Sequence, residues 1–447
     1  MNVLFINNAV FPFSVGGGEI YAYHLSRALI GKGHFVSILA ATQNTDEPLY
    51  RVRHERHDGI RIRTINNPHT VLNPGKLRLL YSLDSLYINR AVETIAMRIV
   101  HEANPDIVHI HHLGNLSSTL IERLQKANIP VVVTLHDYWF VCVNALLTNE
   151  TLQPHYPADC GSGCVSFLLR VGQWTDEHAS GNIEYARRKA MQAYSRYVRL
   201  RNGFFTEAVK KRQEFLVRML ANADAVIAPS EFSKNIFLSA GLPHEKILFS
   251  KLGIQSVNLT PARPQRSHGA EIVFGYLGRI LPEKGVHVLI QAFNSISGNA
   301  RLIICGKTSP RFFGYKRYIQ KLAEHNASIS FLEGVPNPQL PGASNIFDSF
   351  DAMVMPSCIW ENAPVVIQES FLSRTPVIAS DIGGMRELVE SNGGILFKSG
   401  SVEDLAAKLQ GIIDDHSLLE KNAPKLSAVK TIEDNADELL ALYKHFL

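Results

Sequence analysis

Short apolar runs alternate with longer segments of helical composition, and this alternation occurs twice along the chain. Such alternation is typical of sheets whose parallel strands are joined by helices. Between the two series lies 256–270, where Pro261, Pro264 and Gly269 stand among polar residues, a composition typical of a linker. The sequence therefore predicts two α/β domains, each built on a parallel sheet.

We place residues 1–255 in the first domain, with an insertion at about 138–205, and residues 271–421 in the second. The tail, 422–447, has helical composition and is expected to cross back to the first domain. Two such domains form a cleft between the carboxyl ends of their sheets. The apolar runs predict strands at Val3–Asn7, Phe35–Ala40, Ile60–Ile65, Ile107–His111, Val131–His136, Ala225–Ala228, Ile247–Lys251, Ile272–Leu277, Arg301–Cys305, Ile329–Leu332, Ala352–Met355, Val377–Ala379 and Ile395–Phe397.

Composition agrees with a globular protein of more than one domain. The chain has 447 residues, of which 46% are hydrophobic and 19% charged. No apolar run approaches the ~18 residues of a membrane span, and Met1–Ile6 lacks the features of a signal peptide, so we interpret it as a strand. The five cysteines are odd in number and widely spaced, which favours a reducing, cytoplasmic location.

The net charge of +4 is unevenly distributed. Arg187–Arg218 contains ten Lys or Arg against two Glu, together with several Tyr and Phe. Such a segment can lie on an anionic membrane surface or hold a phosphorylated partner, and it can also be the solvated face of a helix. The first option would place the protein on the inner face of the membrane. No nucleic-acid recognition motif accompanies the segment, so no nucleic-acid partner is expected.

Two acids, Glu361 and Glu369, flank the apolar run in Trp360–Ser370. Asn is a good N-cap and Pro suits the first helical position, so Asn362–Pro364 predict a helix start between the two acids. Glu361 then lies in the loop after a strand, and Glu369 points inward from the helix. That loop belongs to the crevice in which open α/β sheets bind ligands. The alternative is that both acids are surface residues beside a core helix.

Glycines at 16–18 follow the first predicted strand and precede a helix. Glycines allow the backbone to approach a ligand, and the N-terminal amides of a helix favour anions. The spacing is not the G-x-G-x-x-G of a dinucleotide site, so NAD is not inferred. A glycine turn without a ligand is the alternative.

A second loop, in the second domain, carries Gly278 and Arg279 after a strand and Lys284 before a helix. Two fixed cations at the carboxyl end of a sheet suit a diphosphate, to which charge-assisted hydrogen bonds contribute ~1.5–3 kcal/mol each. The loop lacks the G-x-x-x-x-G-K-[ST] pattern of a P-loop. The sequence thus predicts a phosphate site without the two common phosphate-binding motifs.

Histidines cluster at the ends of two predicted strands. His109, His111 and His112 end one of these strands and His136 ends the next. Side chains alternate along a strand, so His109 and His111 are expected on one face. His111 and His112 lie near the expected cleft and could contact an acceptor. The alternative is a polar strand end without a ligand.

The insertion carries a weak signal for zinc. Structural zinc sites have four tetrahedral N or S ligands and usually show cysteine pairs at short spacing. Cys160 and Cys164 form one such pair, and Cys142 and His155 could complete the set. Because only one pair is present, we do not expect a structural zinc ion here.

Taken together, these motifs resemble those of a retaining glycosyltransferase of family 4 with the GT-B fold, of the bacterial surface-polysaccharide type. The resemblance covers nearly the whole chain and is strongest at about 270–400. It implies two Rossmann-like parallel-sheet domains that face each other across a cleft. The matching residues are Gly278-Arg279 before Glu283-Lys284-Gly285, Pro356-Ser357, Glu361 and Glu369 eight positions apart, Asp381–Gly384 with Glu387, and the glycines at 16–18.

The resemblance implies transfer of a hexosyl group from a UDP- or GDP-linked donor to a hydroxyl of a glycan or polyprenyl-diphosphate-linked acceptor, with retention of configuration. It implies no cofactor besides the nucleotide sugar and no catalytic metal. Glu369 would bind the ribose, and Glu361 and His136 would lie beside the donor sugar. The residues implied to bind the donor diphosphate are Arg279, Lys284 and Gly17.

Further residues take their roles from the same resemblance. The donor site around the base would be lined by Gly278, Gly306, Lys307 and Val335. The acceptor side would include Gly16, Gly18, His111, His112 and Asp137. Asp137 could instead serve only to orient the ring of His136.

Two other functions remain open from the sequence. A nucleotide-sugar epimerase of similar architecture would need an acid–base pair around the sugar, and no clear second base is present. A non-catalytic two-domain sugar-binding protein is the other alternative. Such proteins are usually exported, whereas we expect no signal peptide here.

Overall fold

The computed structural model describes residues 1–13, 16–44, 46–67, 83–149, 151–170, 193, 196–198, 200–255, 271–309, 312–333, 346–424 and 429–447. Val335, the linker 256–270 and most of the basic segment before Leu200 lie outside the described residues. Two sheets organise the described chain, one of eight strands and one of six.

The first sheet contains β1 (Asn2–Asn7), β2 (Phe35–Thr42), β3 (Val52–His57), β4 (Ile60–Asn66), β5 (Ile107–Ile110), β6 (Val131–Thr134), β7 (Ala225–Ala228) and β8 (Ile247–Phe249). Their order across the sheet is β3-β4-β2-β1-β5-β6-β7-β8. All neighbours are parallel except β3 and β4. The chain reverses direction across the sheet between β1 and β5, which makes their carboxyl ends the switch point of this domain.

Strand β3 is the strand that the apolar pattern does not predict. Five of its six side chains are charged or histidine, and it forms the edge of the sheet, where charged side chains discourage pairing with other chains. It pairs antiparallel with β4 through a turn at Asp58-Gly59, whose φ angles are 47° and 81°. The Asp-Gly pair is the hairpin signal that could have found this strand.

The second sheet contains β9 (Ile272–Leu277), β10 (Ala300–Cys305), β11 (Ile329–Leu332), β12 (Ala352–Met355), β13 (Val377–Ser380) and β14 (Ile395–Phe397). All its neighbours are parallel, in the order β11-β10-β9-β12-β13-β14. This is the doubly wound order 3-2-1-4-5-6, with the switch point between β9 and β12. The predicted class of two parallel-sheet α/β domains is confirmed, and each strand prediction lies within about two residues of an observed strand.

Helices cover the faces of both sheets and bury them in apolar cores. The described helices are α1 (Gly17–Gly31), α2 (Arg90–Ala103), α3 (Leu120–Lys126), α4 (Ser162–Arg170), α5 (Asn202–Ala221), α6 (Glu231–Ser239), α7 (Val286–Asn294), α8 (Phe313–Ala323), α9 (Val365–Leu372), α10 (Gly383–Asn392), α11 (Val402–Asp414), α12 (Ser417–Lys421) and α13 (Ile432–Phe446).

Helix α5 contains the second half of the basic segment and is amphipathic toward the core. Phe205, Val209 and Leu216 are buried in the core of the first domain, and Arg212 is buried with them. Part of the aromatic content of the basic segment is therefore core, while Phe204 stays partly exposed. Within the described ranges, none of the helices has the length and apolar composition needed to cross a bilayer.

The last helix, α13, packs against the first domain. Ile254 and Thr431 form a backbone bridge, and several apolar side chains of α13 belong to the same core as β1 and α1. The side-chain oxygen of Asn435 accepts hydrogen bonds from the Tyr21 hydroxyl at 2.8 Å and from the Gly253 amide at 2.9 Å. The chain end therefore closes on the domain that begins it.

Replacing Asn435 with alanine should lower the free energy of unfolding by about 2–3 kcal/mol, because two buried donors would lose their acceptor. Tyr21→Phe keeps the bond between Asn435 and Gly253 and should cost only about 1 kcal/mol. Denaturant unfolding of the full chain measures both values. Equal costs for the two variants would contradict the bridging role of Asn435.

Candidate active site

The candidate site lies where the switch points of the two sheets meet. The loops that follow β1 and β5 carry the glycines at 16–18 and the pair His111-His112. The loops that follow β9 and β12 carry Gly278-Arg279 and Pro356–Glu361. Parallel strands end at the same edge of a sheet, so each pair of loops is brought together by strand order.

The N-terminus of α1 packs directly against the other elements of the site. A Cβ atom at Gly18 would lie 3.3 Å from Cγ of His136, and one at Gly17 would lie 3.7 Å from a methyl group of Val365 at the start of α9. Gly16 precedes the helix in extended conformation. The missing side chain at Gly18 thus lets the first turn of α1 approach the histidine.

His136 lies just after β6 and is held by a second histidine. Its Nε2 is 3.0 Å from Nδ1 of His111, and the ring of His111 stacks on that of His109 at 4.4 Å between centroids. The stacking confirms that His109 and His111 share a face. Burial lowers the pKa of His136 to about 4 and that of His109 to about 3, so both rings are neutral at pH 7.

His111 is almost fully buried beneath His136, so it supports that ring and presents little surface to an acceptor. Asp137 does not bind the ring of His136. It accepts a hydrogen bond from Nε2 of His112 at 3.1 Å and from the amide of Trp139 at 2.8 Å. Burial alone would lower the pKa of His112, but the charge and hydrogen bond of Asp137 outweigh burial and raise it.

In the second domain, Lys284 and Glu361 form an ion pair with side chains only 15% and 14% exposed. The Ser357 hydroxyl donates a hydrogen bond to the same carboxylate oxygen at 2.8 Å. Burial alone would raise the pKa of Glu361, but the charge of Lys284, these hydrogen bonds and the nearby Arg279 outweigh it and lower the pKa. Three residues that the sequence predicts around the donor, Arg279, Lys284 and Glu361, therefore converge.

The turn that carries Lys284 reaches the end of β12 because a glycine follows it. Gly285 has a φ angle of 70°, and a Cβ atom there would lie 1.9 Å from the carbonyl oxygen of Pro356. Any residue with a Cβ atom at this position would push the turn away from the strand end. The glycine in the motif Glu283-Lys284-Gly285 is thus a steric requirement. Without a side chain at Gly285, the turn can bring the Lys284 ammonium beside Glu361.

The ends of β9 and β10 lie side by side next to this pair. The Gly278 amide donates to the carbonyl of Cys305 at 3.0 Å, and the Ile280 amide donates to the carbonyl of Lys307 at 3.1 Å. Gly306 lies between them. Arg279 is exposed, and the described part of the chain gives its guanidinium no ion-pair partner. These ends form a rim with free positive charge.

Glu369 lies on α9, where it is almost fully buried. Glu361 lies in the loop before α9, which confirms the predicted break between the two acids. The predicted cap is wrong, because Pro364 is the N-cap and α9 begins at Val365. The side chain of Asn362 is engaged elsewhere.

Asn362 joins the two domains, a role that sequence reasoning missed. Its side-chain N–H donates to the carbonyl of Leu135 at 2.9 Å, and its side-chain oxygen accepts from the Ser230 hydroxyl at 3.1 Å. Leu135 precedes His136, and Asn362 follows Glu361. One amide therefore sets the distance between the histidine of one domain and the acid of the other.

Two further contacts support this junction. The carboxylate of Glu387 on α10 accepts from the amides of Glu231 and Phe232 at the start of α6. The ring of Trp360 lies 5.1 Å from Phe232 and 4.9 Å from Tyr156 of the insertion. The family motif residue Glu387 thus caps a helix of the opposite domain, where a negative charge is stabilised by the helix dipole.

Two family models match the chain. The model described as Glycosyltransferase Family 4 matches residues 15–254, more than half of the chain, and the model described as Glycosyl transferases group 1 matches residues 262–425. The chain belongs to glycosyltransferase family 4. The gap between the two matched regions, residues 255–261, overlaps the first part of the segment 256–270, whose composition is typical of a linker.

Curated relatives of this family-4 chain align over part of their length. An uncharacterized 42.6 kDa protein in the cps region of Klebsiella pneumoniae is 27% identical over 33% of this chain and 39% of its own. D-inositol 3-phosphate glycosyltransferase of Corynebacterium urealyticum is 29% identical over 38% and 42%. CapM, a capsular polysaccharide biosynthesis glycosyltransferase of Staphylococcus aureus, is 24% identical over 49% and 61%. The chain thus spans less than two thirds of the length of these relatives.

Solved structures share the whole fold. Sucrose-phosphate synthase from Thermosynechococcus elongatus has a TM-score of 0.65 at 18% identity, covering 100% of this chain and 99% of that chain. Anabaena HepE in complex with UDP and glucose has a TM-score of 0.60 at 18% identity, covering 99% and 96%. The family-4 chain has the GT-B fold, two parallel-sheet α/β domains.

Lowering the pH from 7 to 5 should destabilise the protein through its buried histidines. Their ordinary pKa is ~6.5, so below pH 6.5 the unfolded chain binds protons that buried His109 and partly buried His136 do not bind in the folded protein. Stability from this source is complete above pH 6.5 and declines as the pH falls toward 4, by up to ~2 kcal/mol for each ring at pH 5.

The free energy of unfolding at pH 7 and at pH 5 tests this expectation. His109→Gln should lose less stability over that interval than the wild type. An identical pH dependence for wild type and His109→Gln would show that burial does not suppress protonation of His109.

Proposed function

We propose that this family-4 chain transfers a hexosyl group from a UDP- or GDP-linked donor to a hydroxyl of a glycan or lipid-linked acceptor, with retention of configuration. The observation that carries the proposal is the partly buried Lys284–Glu361 pair, which lies with Arg279 at the carboxyl end of the second sheet. Asn362 holds this pair beside the strand end that carries His136. HepE, which shares the fold, was crystallised with UDP and glucose, and this supports a nucleotide-sugar donor.

In the proposed complex the donor diphosphate lies between Lys284 and Arg279. The Lys284 ammonium has three N–H groups. One donates to Glu361, which leaves two for phosphate oxygens. Arg279 adds a guanidinium that is exposed at the rim. The N-terminus of α1 at Gly17 packs against Val365 at the start of α9, and its amides would favour the same negative charge.

The remaining parts of the donor follow from this placement. Glu369, buried on α9, is proposed to accept hydrogen bonds from the ribose hydroxyls. Gly278, Gly306 and Lys307, at the adjoining ends of β9 and β10, are proposed to line the site of the base. Glu361, next to Lys284, is proposed to lie beside the donor sugar.

The electrostatics of His136 support retention by front-face attack. A neutral ring with a pKa of about 4 is a weak base, so the acceptor proton needs another destination. In the proposed step the bond between the anomeric carbon and the phosphate oxygen breaks, and the acceptor oxygen bonds to that carbon on the same face. The acceptor proton moves to the departing phosphate, whose charge Lys284 and Arg279 stabilise, and His136 orients the sugar.

A polysaccharide context is proposed for the acceptor. The Klebsiella relative comes from a cps region, and CapM acts in capsular polysaccharide biosynthesis. The first turn of α1 and the pair of His112 and Asp137 border the space beside His136 and are proposed to contact the acceptor. Their side chains come from the first domain, opposite the proposed donor site.

Lys284→Met should lower the rate of sugar transfer about 10- to 100-fold, which corresponds to the loss of one charge-assisted hydrogen bond of ~1.5–3 kcal/mol in the transition state. Glu369→Gln, which keeps the size of the side chain, should chiefly raise the KM for the donor. Lys421→Met removes an exposed lysine of the same domain and should leave the rate unchanged. Release of nucleoside diphosphate on addition of acceptor measures all three.

Thermal melting of each variant separates lost chemistry from lost fold. A folded Lys284→Met enzyme that transfers sugar as fast as the wild type would refute the site. Activity with donor alone, without any acceptor, would instead point to an epimerase.

Retention is tested independently by proton NMR of the first product formed. A donor with an α-linked sugar should give an α-linkage in the product, because attack occurs on the face from which the diphosphate leaves. A β-linkage from the same donor would refute the front-face mechanism and leave the donor site unaffected.

A further inference from the structure

Three of the five cysteines meet one histidine inside the insertion. The sulfur atoms of Cys142, Cys160 and Cys164 and a ring nitrogen of His155 all lie within 4.8 Å of one another. The three thiols are buried and form no disulfide. Around a tetrahedral zinc ion, with bonds of about 2.0–2.3 Å, ligand atoms lie roughly 3.5–3.8 Å apart, so the four groups need only small shifts to close on one ion.

We propose that Cys142, His155, Cys160 and Cys164 bind a structural zinc ion. The sequence shows one cysteine pair of suitable spacing, and for that reason the sequence analysis does not expect a zinc site. The fold supplies the other two ligands from the loop that follows β6, at a distance along the chain that no motif specifies. The proposal rests on this ligand geometry and is independent of the sugar-transfer reaction.

The environment of His155 suits a zinc ligand. Its Nδ1 lies 3.0 Å from the carbonyl oxygen of Tyr156, and its Nε2 lies 3.1 Å from the sulfur of Cys164. Histidines that bind metals commonly donate their second N–H to a backbone carbonyl, which fixes the tautomer. A proton on Nδ1 leaves the lone pair of Nε2 directed toward the cysteines.

Charge in the surrounding core also favours the metal-bound form. Three thiolates with one Zn²⁺ carry a net charge of −1, which needs a buried counter-charge. The guanidinium of Arg212 is buried, and one of its N–H groups donates to the carbonyl of Trp139 at 2.8 Å. Its Nε and Nη1 have no hydrogen-bond partner in the described part of the chain. Burial lowers the pKa of Arg212, and negative charge at Cys142 or Cys160 opposes that effect.

The site would fix the insertion against both halves of the active site. Cys142 lies six residues after His136, and Cys164 lies in the first turn of α4. Tyr156, next to His155, packs its ring on Trp360, the residue before Glu361. Tyr156 is 55% exposed, so this contact depends on a rigid backbone rather than on burial of its own ring. Zinc would supply that rigidity.

Metal analysis of the purified chain tests the proposal. The wild type should contain about one zinc ion per chain, and Cys160→Ser and Cys164→Ser should each lose most of it. Cys305→Ser is the matched control, because Cys305 is equally buried but lies in β10, away from the cluster, and it should keep the metal. His155→Cys keeps four ligands and should also keep zinc, whereas His155→Ala should not.

Two measurements on the wild type do not depend on the folding of variants. Chelation should lower the melting temperature, and added zinc should restore it. Replacement by Co²⁺ should give the visible absorption of a tetrahedral cobalt–thiolate centre. Wild-type protein without metal, insensitive to chelator and colourless with cobalt, would overturn the proposal. Thiol titration of the denatured, unreduced chain should find five thiols; finding three would show a disulfide instead and would overturn it equally.

Discussion

A single buried amide holds the candidate active site together. Asn362 donates to the carbonyl of Leu135 and accepts from the hydroxyl of Ser230, so it bonds two separate elements of the first domain. Its neighbour along the chain is Glu361, and the neighbour of Leu135 is His136. A buried amide that lost either partner would leave an unsatisfied polar group, which costs about 1–3 kcal/mol. The arrangement of the domains is therefore tied to the positions of the residues proposed for chemistry.

Several ionisable side chains at the junction are either paired with an opposite charge or uncharged. Glu361 is neutralised by Lys284, and Asp137 is paired with His112. His136 and His109 avoid the cost of burial by staying uncharged. At the rim, the guanidinium of Arg279 has no ion-pair partner in the described part of the chain, and Lys284 keeps N–H donors beyond the one it gives to Glu361. This excess of positive charge is the property that a diphosphate would complement.

Segments remote in sequence brace the same junction. Helix α13 returns to the first domain, where Tyr443 hydrogen-bonds His109, the ring on which His111 stacks. The insertion approaches from the other side, and Tyr156 packs on Trp360 beside Glu361. A zinc ion would make the insertion more rigid, and with it the contact between Tyr156 and Trp360. The packing of α13 on the first domain does the same for the contact between Tyr443 and His109. Both braces act on residues adjacent to the proposed donor and acceptor sites.

Local patterns in the sequence determined the elements of this protein. Buried strands appear as apolar runs because every side chain of a central parallel strand is buried, and the break before Val365 appears because proline and asparagine disfavour a continuing helix. The motif around Lys284 and Gly285 likewise reflects a local turn. The same logic failed for β3, whose side chains are polar because it is an edge. The sequence pattern that indicates β3 is the Asp58-Gly59 turn that follows it, and not the residues of the strand itself.

The tertiary structure decided which side chains contact one another. Strand order set which loops share a switch point, and no periodicity within a short window encodes it. For the same reason His136 binds His111 instead of Asp137, and Asn362 bridges two domains instead of capping α9. Cys142 and His155 join a cysteine pair that lies 18 and 5 residues further along the chain, counted to Cys160. The sequence specifies the chemical groups of a side chain, but its hydrogen-bond partner depends on which groups lie within reach in space. Groups remote in sequence come within reach only after both sheets have formed and packed together.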